Sequence, residues 1–180
     1  MFQRALILTL LVFAFAIASP SVTHAASPTI AMVDVDKILA ESKAAKSLQS
    51  QIQAKKETFQ KEFAAKEKEL KTTETSLLAE QGKIPAEEFN KKRKAYEEKI
   101  IETQKLFKKR RNSLDEGLNK AMQELRKNIV EASAGIADEK GYDIVLTRES
   151  VLLAEKSLDI TDDVLKALDA KLADIKLQVE

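Results

Sequence analysis

The sequence predicts an α+β fold that is mostly α: a long antiparallel helical hairpin, a coiled-coil-like arm, on a small β-rich body. Three observations predict it. Apolar side chains recur at spacings of three, four and seven through roughly a hundred central residues, which is the helical period. Turn chemistry interrupts that stretch once, at Gly82 and Ile84-Pro85. Short apolar runs with strand character flank it, at Thr29–Val35, Tyr142–Thr147 and Val151–Glu155.

Residues 1–25, "MFQRALILTLLVFAFAIASPSVTHA", carry one basic residue, Arg4, then an apolar run from Ala5 to Ala18. Small residues lead to Thr23-His24-Ala25. This is the layout of a cleavable signal peptide, with cleavage after Ala25. The run is short for a bilayer span, which needs about 20 residues. Acylation of a lipoprotein needs a cysteine, and the chain has none. An exported chain is expected, and in a bacterium with two membranes that means the periplasm.

Residues 26–40 hold the first strand of the body and the start of the arm, with Asp34 or Asp36 as helix N-cap. The arm spans 41–137 with its tip near 81–86. Its first helix shows Leu48, Ile52, Phe59, Phe63, Leu70 and Leu77 as a narrow apolar stripe. Glu57→Lys61, Glu62→Lys66 and Glu67→Lys71 are i,i+4 pairs in the better orientation, each contributing about 0.2–0.5 kcal/mol. Gly82 suits a left-handed cap, and Pro85-Ala86-Glu87-Glu88 opens the second helix with acids at its positive end. That helix carries Phe89, Tyr96, Ile100, Phe107, Leu114, Leu118, Leu125 and Ile129 and ends near Gly141. A short connection between two long amphipathic helices makes them antiparallel neighbours. Residues 138–180 return to the body as two strands broken at Glu149-Ser150, then a helix from Thr161 to about Leu172.

Charge is segregated along the chain. Residues 82–111 hold eleven Lys/Arg against five Asp/Glu, hence +6, and residues 138–180 hold six against eleven, hence −5. Two basic clusters, Lys91-Lys92-Arg93-Lys94 and Lys108-Lys109-Arg110-Arg111, lie near the tip. Such runs are most often solvated helix faces. Their excess still gives the tip a positive potential that suits anionic clients, lipid headgroups or lipopolysaccharide. Export argues against nucleic acid.

Catalysis has little to stand on. The one histidine, His24, falls in the signal segment, and there is no cysteine for nucleophilic chemistry, soft metal binding or disulfides. Carboxylates recur as helix-surface charge. No enzyme activity, cofactor or metal is expected. Three short strands leave open edges, which symmetric assembly would close. Ile30, Met32, Val33, Ile144, Val145, Leu146, Val151, Leu152 and Leu153 are the candidate assembly residues.

The opening segment "IAMVDVDKIL", residues 30–39, and the ending "GYDIVLTRESVLLAEKSLDITDDVLKAL", residues 141–168, resemble the two ends of the Skp/OmpH family of periplasmic chaperones. Asp143-Ile144-Val145-Leu146 and Asp159-Ile160-Thr161 are the most particular pieces. The resemblance spans essentially all of the chain after residue 25. It implies a homotrimer whose helical arms hang around a cavity from a β-rich body. It also implies an ATP-independent holdase for unfolded outer-membrane β-barrel proteins. Leu153 stands where family members often carry an aromatic, and the chain is neutral overall where well-known members are strongly basic. A structural coiled-coil spacer or adaptor of the envelope, without chaperone activity, is the alternative; it would share the arm but not need the flanking strands.

Overall fold

The computed structural model describes residues 27–179. The signal-peptide reading of residues 1–25 lies outside them. The elements run β1 (Ile30–Val33), α1 (Val35–Glu41), α2 (Lys43–Glu80), α3 (Ala86–Lys140), β2 (Ile144–Thr147) and α4 (Thr161–Lys171).

Each boundary has a local cause. The Asp34 carboxylate accepts the Lys37 N–H at 2.8 Å and caps α1. At Ser42 the first helix breaks, which the continuous apolar period does not foretell. Ser42 is extended (φ −62°, ψ 149°), and its hydroxyl accepts the Ala45 N–H to start α2. Asp169 of α4 takes the Lys43 N–H at 2.8 Å, so the break is held from outside as well. Helix α2 closes at Gln81, with Gly82 left-handed at φ 75°; α3 closes at Gly141, also left-handed at φ 72°.

β1 and β2 pair in parallel, Ile30 opposite Ile144 through Val33 opposite Thr147. Parallel neighbours need a long crossover, and here the crossover is the whole of α1, α2 and α3. On the other side of β1, Met32 bridges Asp159, and Ile160 N–H donates to the Met32 carbonyl at 2.9 Å. β1 is therefore flanked on both sides and β2 is the outer edge.

The second of the two expected strands, 151–155, does not form, so there is no hairpin with 142–147. A tight hairpin needs left-handed residues at its turn, and among the described residues no non-glycine adopts positive φ. Arg148–Ser150 instead make one 3₁₀ turn closed by Val151 N–H to the Arg148 carbonyl at 3.1 Å. The chain after it finds no strand to pair with, and Leu152 and Leu153 stand 107 % and 91 % exposed.

The core sits where the helix feet, β1, α4 and the chain's last residues meet. Ala31, Val33, Ile38, Leu48, Leu125, Ile129, Ile160, Val164 and Leu168 are buried there together with Ile175 and Leu177. Polar clasps close the body. Thr29 N–H and Oγ1 donate to Asp143 Oδ2 at 2.8 and 2.9 Å, and Asp34 N–H donates to Thr161 Oγ1 at 2.9 Å. Lys140 pairs with Asp163.

These clasps predict a pH response. The Thr29 backbone N–H, then its hydroxyl, hold Asp143 below the usual carboxylate range, and Lys140 does the same for Asp163. Burial opposes ionisation of Asp159, but the Thr161 hydroxyl and N–H and the Arg148 charge outweigh it and its pKa is lowered. A depressed folded pKa gives stability that is present above the ordinary Asp value and lost as pH falls through the folded one. Glu149 runs the other way, raised by a hydrogen bond and repulsion from Asp36; its contribution is lost as pH rises through its folded pKa. Thermal melts of Asp143→Asn should fall below the parent near neutral pH, and the gap should close as pH falls through the lowered Asp143 pKa. A gap that stays constant with pH would contradict the clasp.

Candidate functional site

Above the body, α2 and α3 have only each other. Helix α2 holds 38 residues and α3 55, about 57 and 80 Å at 1.5 Å per residue. They pack antiparallel, and cross-helix ion pairs fix the register: Arg110–Glu62 at 3.3 Å, Lys99–Glu69 at 3.1 Å and Lys92–Glu80 at 2.8 Å. Hydrogen bonds from Lys99, then Lys66, lower the Glu69 pKa; the hydrogen bond from Lys92 to Glu80 raises that of Lys92.

Three of the four phenylalanines after residue 25 make one cluster in this seam. Phe63 and Phe107 have ring centroids 3.8 Å apart, Phe59 stacks on Phe63 at 6.4 Å, and the Arg110 guanidinium lies 5.4 Å from the Phe59 ring centroid. Phe89 is half-buried nearer the tip. Beyond Phe59 the apolar seam residues Phe63, Leu70, Leu77 and Phe107 are only half-buried. The seam opens into a cavity of about 290 Å³ lined by Lys66, Glu69, Leu70, Lys99, Glu102, Thr103 and Leu106, of which Thr103 alone is buried. Nearer the tip, a slot of about 200 Å³ is bounded by Leu77, Ala95 and Tyr96 among polar neighbours.

The eight basic candidates do not act alike. Lys91 pairs with Glu87, Lys92 with Glu80 and Glu88, and Arg93 with Glu97, at 3.4, 2.8, 3.5 and 3.8 Å. Arg110 is drawn into the seam by Glu62 and Phe59. Lys94, Lys108, Lys109 and Arg111 have no ion pair among the described residues and are exposed. Lys108 and Lys109 share an open groove on α3 with Lys105, Asn112, Ser113 and Glu116.

The nine assembly candidates also divide. Met32 and Val33 are buried within the chain itself, and Val145 packs on the core. Val151 is half-buried. Ile30, Ile144 and Leu146 are exposed on the paired strands, and Leu152 and Leu153 are exposed in the chain that follows β2.

Sequence reasoning missed the tail. Past α4, residues 173–179 bury Ile175 and Leu177 and pass over Gly117, where a Cβ would lie 2.3 Å from the Gln178 carbonyl oxygen. A glycine inside a strong helical period, Gly117, is the signal that could have pointed there. Gly135, the other mid-helix glycine, faces open space.

Among the described residues no group of three or more acidic or histidine side chains could hold a metal ion, and no helix is long and apolar enough to cross a membrane. The described residues form a small two-stranded, helix-covered region from which the paired helices α2 and α3 project. The chain belongs to the OmpH-like outer membrane protein family, whose model matches residues 29–168. No curated protein matches it. Among solved structures it is similar to a proposed OmpH-like outer membrane chaperone from Caulobacter crescentus CB15. That likeness has a TM-score of 0.79 at 19 % identity, covering 86 % of this chain and 92 % of the other.

Proposed function

We propose that the chain is an ATP-independent holdase of the periplasm, which binds unfolded outer-membrane β-barrel proteins between helical arms and keeps them from aggregating. The observation that carries this reading is the length of α2 and α3, which outrun the body and have no second layer to bury their flanks. Membership of a family described by outer membrane proteins supports it. Unfolded barrel strands alternate apolar and polar residues. They need many weak, mixed contacts, and a half-buried seam among charged flanks provides those.

In this reading the arm is α2 with α3 above their feet, and the body is those feet with the rest. Three copies join through the bare β2 edge with Ile30, Ile144, Leu146, Leu152 and Leu153, and their arms enclose the cavity. Residues 1–25 direct export and are removed. The test is dilution of an unfolded outer-membrane protein from urea: the holdase keeps it out of light-scattering aggregates at one trimer per client, whereas an envelope spacer leaves scattering unchanged.

The unpaired arm charges steer encounter. Lys94 is near the tip, but Lys108, Lys109 and Arg111 lie about mid-arm, level with Glu62 and Phe63, and not near the tip as the sequence suggested. Lys94, Lys108, Lys109 and Arg111 provide unpaired positive charge that attracts acidic clients, lipid headgroups or lipopolysaccharide, screened over about 8 Å at physiological ionic strength. Stopped-flow capture of an acidic labelled client should slow several-fold at low salt when Lys94, Lys108, Lys109 and Arg111 become glutamine, with little change in release. Equal capture rates would reduce these residues to solvated helix faces.

A further inference from the structure

The family match ends at residue 168 and the chain runs on to 180. After α4 the residues from 172 onward climb the groove between α2 and α3, parallel to α2: Asp174 reaches Ser47, Ile175 and Leu177 reach Gln51, and Gln178 lies over Gly117. Burial alternates along it, with Ile175, Leu177 and Val179 inward and Lys176 and Gln178 outward. That period of two belongs to an extended chain.

Two groove features grip the strap by its backbone. Gln51 Nε2 donates to the Ile175 carbonyl at 2.7 Å, and Gln51 Oε1 accepts the Leu177 N–H at 2.9 Å. Those are the two groups that flank Lys176 and that a neighbouring strand would use, so the side-chain amide stands in for a strand. Gly117 forms the floor opposite. A Cβ there would meet the Gln178 carbonyl oxygen at 2.3 Å and its carbon at 3.2 Å, so the helix accepts a backbone only because it has no side chain. Gln51 Nε2 also donates to Asp174 Oδ1 at 3.1 Å, and Ser47 Oγ donates to the same carboxylate. That is a side-chain contact of the resident strap, whereas the grips on Ile175, Leu177 and Gln178 are on backbone. The remaining requirement is apolar side chains at alternate positions, and that is the pattern of an outer-membrane β-strand.

We propose that the groove between Gln51 and Gly117 is a binding site for extended peptide with alternating apolar residues, and that the C-terminal strap is its displaceable resident. The proposal rests on the holdase reading and adds a contact at the foot of the arm. The strap holds the site closed by being tethered, and a client strand takes it when avidity along the arm outcompetes the tether.

The test uses a fluorescent peptide of residues 172–180 and a control peptide with serine in place of Ile175 and Leu177. The receptors are the intact chain, a chain ended after Leu172, and full-length Ile175→Ser/Leu177→Ser. Anisotropy should show the peptide binding both strap-released forms at least about fivefold more tightly than the intact chain. The control peptide should not bind. Gly117→Ala in the shortened chain should abolish binding while leaving helix content intact or raised. Equal binding to all three receptors, equal binding of the control, or no binding to a folded strap-released form overturns the proposal. Loss of helical circular dichroism in both released forms also overturns it, because the strap is then core. A groove that binds peptide in a chain that fails to keep barrel proteins soluble removes the holdase reading alone.

Discussion

Leu125→Ala is expected to destabilise the body by about 2–5 kcal/mol. Leu125 is fully buried on α3, in the cluster that joins Ile38 of α1, Leu48 of α2 and Leu168 of α4. Truncation removes transfer free energy and leaves a cavity that three other elements frame, so the site relaxes little. A small domain has only about 5–15 kcal/mol in total. The loss should therefore be plain in a urea melt followed by circular dichroism, with parent and variant at one protomer concentration. Leu78→Ala, on the exposed end of α2, is the control and should stay within about 0.5 kcal/mol of the parent. Similar midpoints for the two variants would mean that the helix feet do not share a core.

Matched shortening of the arm should leave assembly intact and abolish protection of large clients. Removing residues 61–67 together with 103–109 takes one heptad from each helix at facing levels, since Glu62 faces Arg110 and Phe63 faces Phe107. The pairs Lys99–Glu69 and Lys92–Glu80 lie on the tip side of the cut, and the core lies below it. Each arm shortens by about 10 Å. The deletion also removes Phe63 and Phe107. Replacing both with leucine in the full-length arm separates loss of length from loss of the ring cluster. Undiminished protection of a large barrel by the shortened chain would show that the arm is not the working surface.

The helices were legible because their signals are local. Asp34, Gly82, Pro85 and Gly141 act on their immediate neighbours, and each stands at the helix end it marks. The helical period named the seam, including Phe59, Phe63 and Phe107. The sheet was less legible, because strand pairing is a relation between distant segments. Val151–Glu155 has strand composition, but an apolar run becomes a strand only beside another, and Glu149-Ser150 offers no left-handed turn. The parallel pairing of β1 with β2 depends on a crossover of about a hundred residues, which no local pattern encodes. The break at Ser42 was hidden because apolar spacing continues through it, while its cause, Asp169, lies far along the chain. The basic clusters were visible as charge, but which of them are neutralised depends on cross-helix partners such as Glu80 and Glu62. The strap was missed because eight polar-apolar residues after a helix carry no turn signal, and its seat is set by Gln51 and Gly117 on two other elements.

The mass of the assembly is the most direct test of the cage. Native mass spectrometry of the chain lacking residues 1–25 should give three copies alone, and three copies with one barrel protein after that protein is diluted in from urea. Leu146→Asp should give single copies that hold no client, because it places a charge on the β2 edge, where burial without a partner is costly. Single copies of the parent chain, or three copies that never acquire a client, would contradict the account.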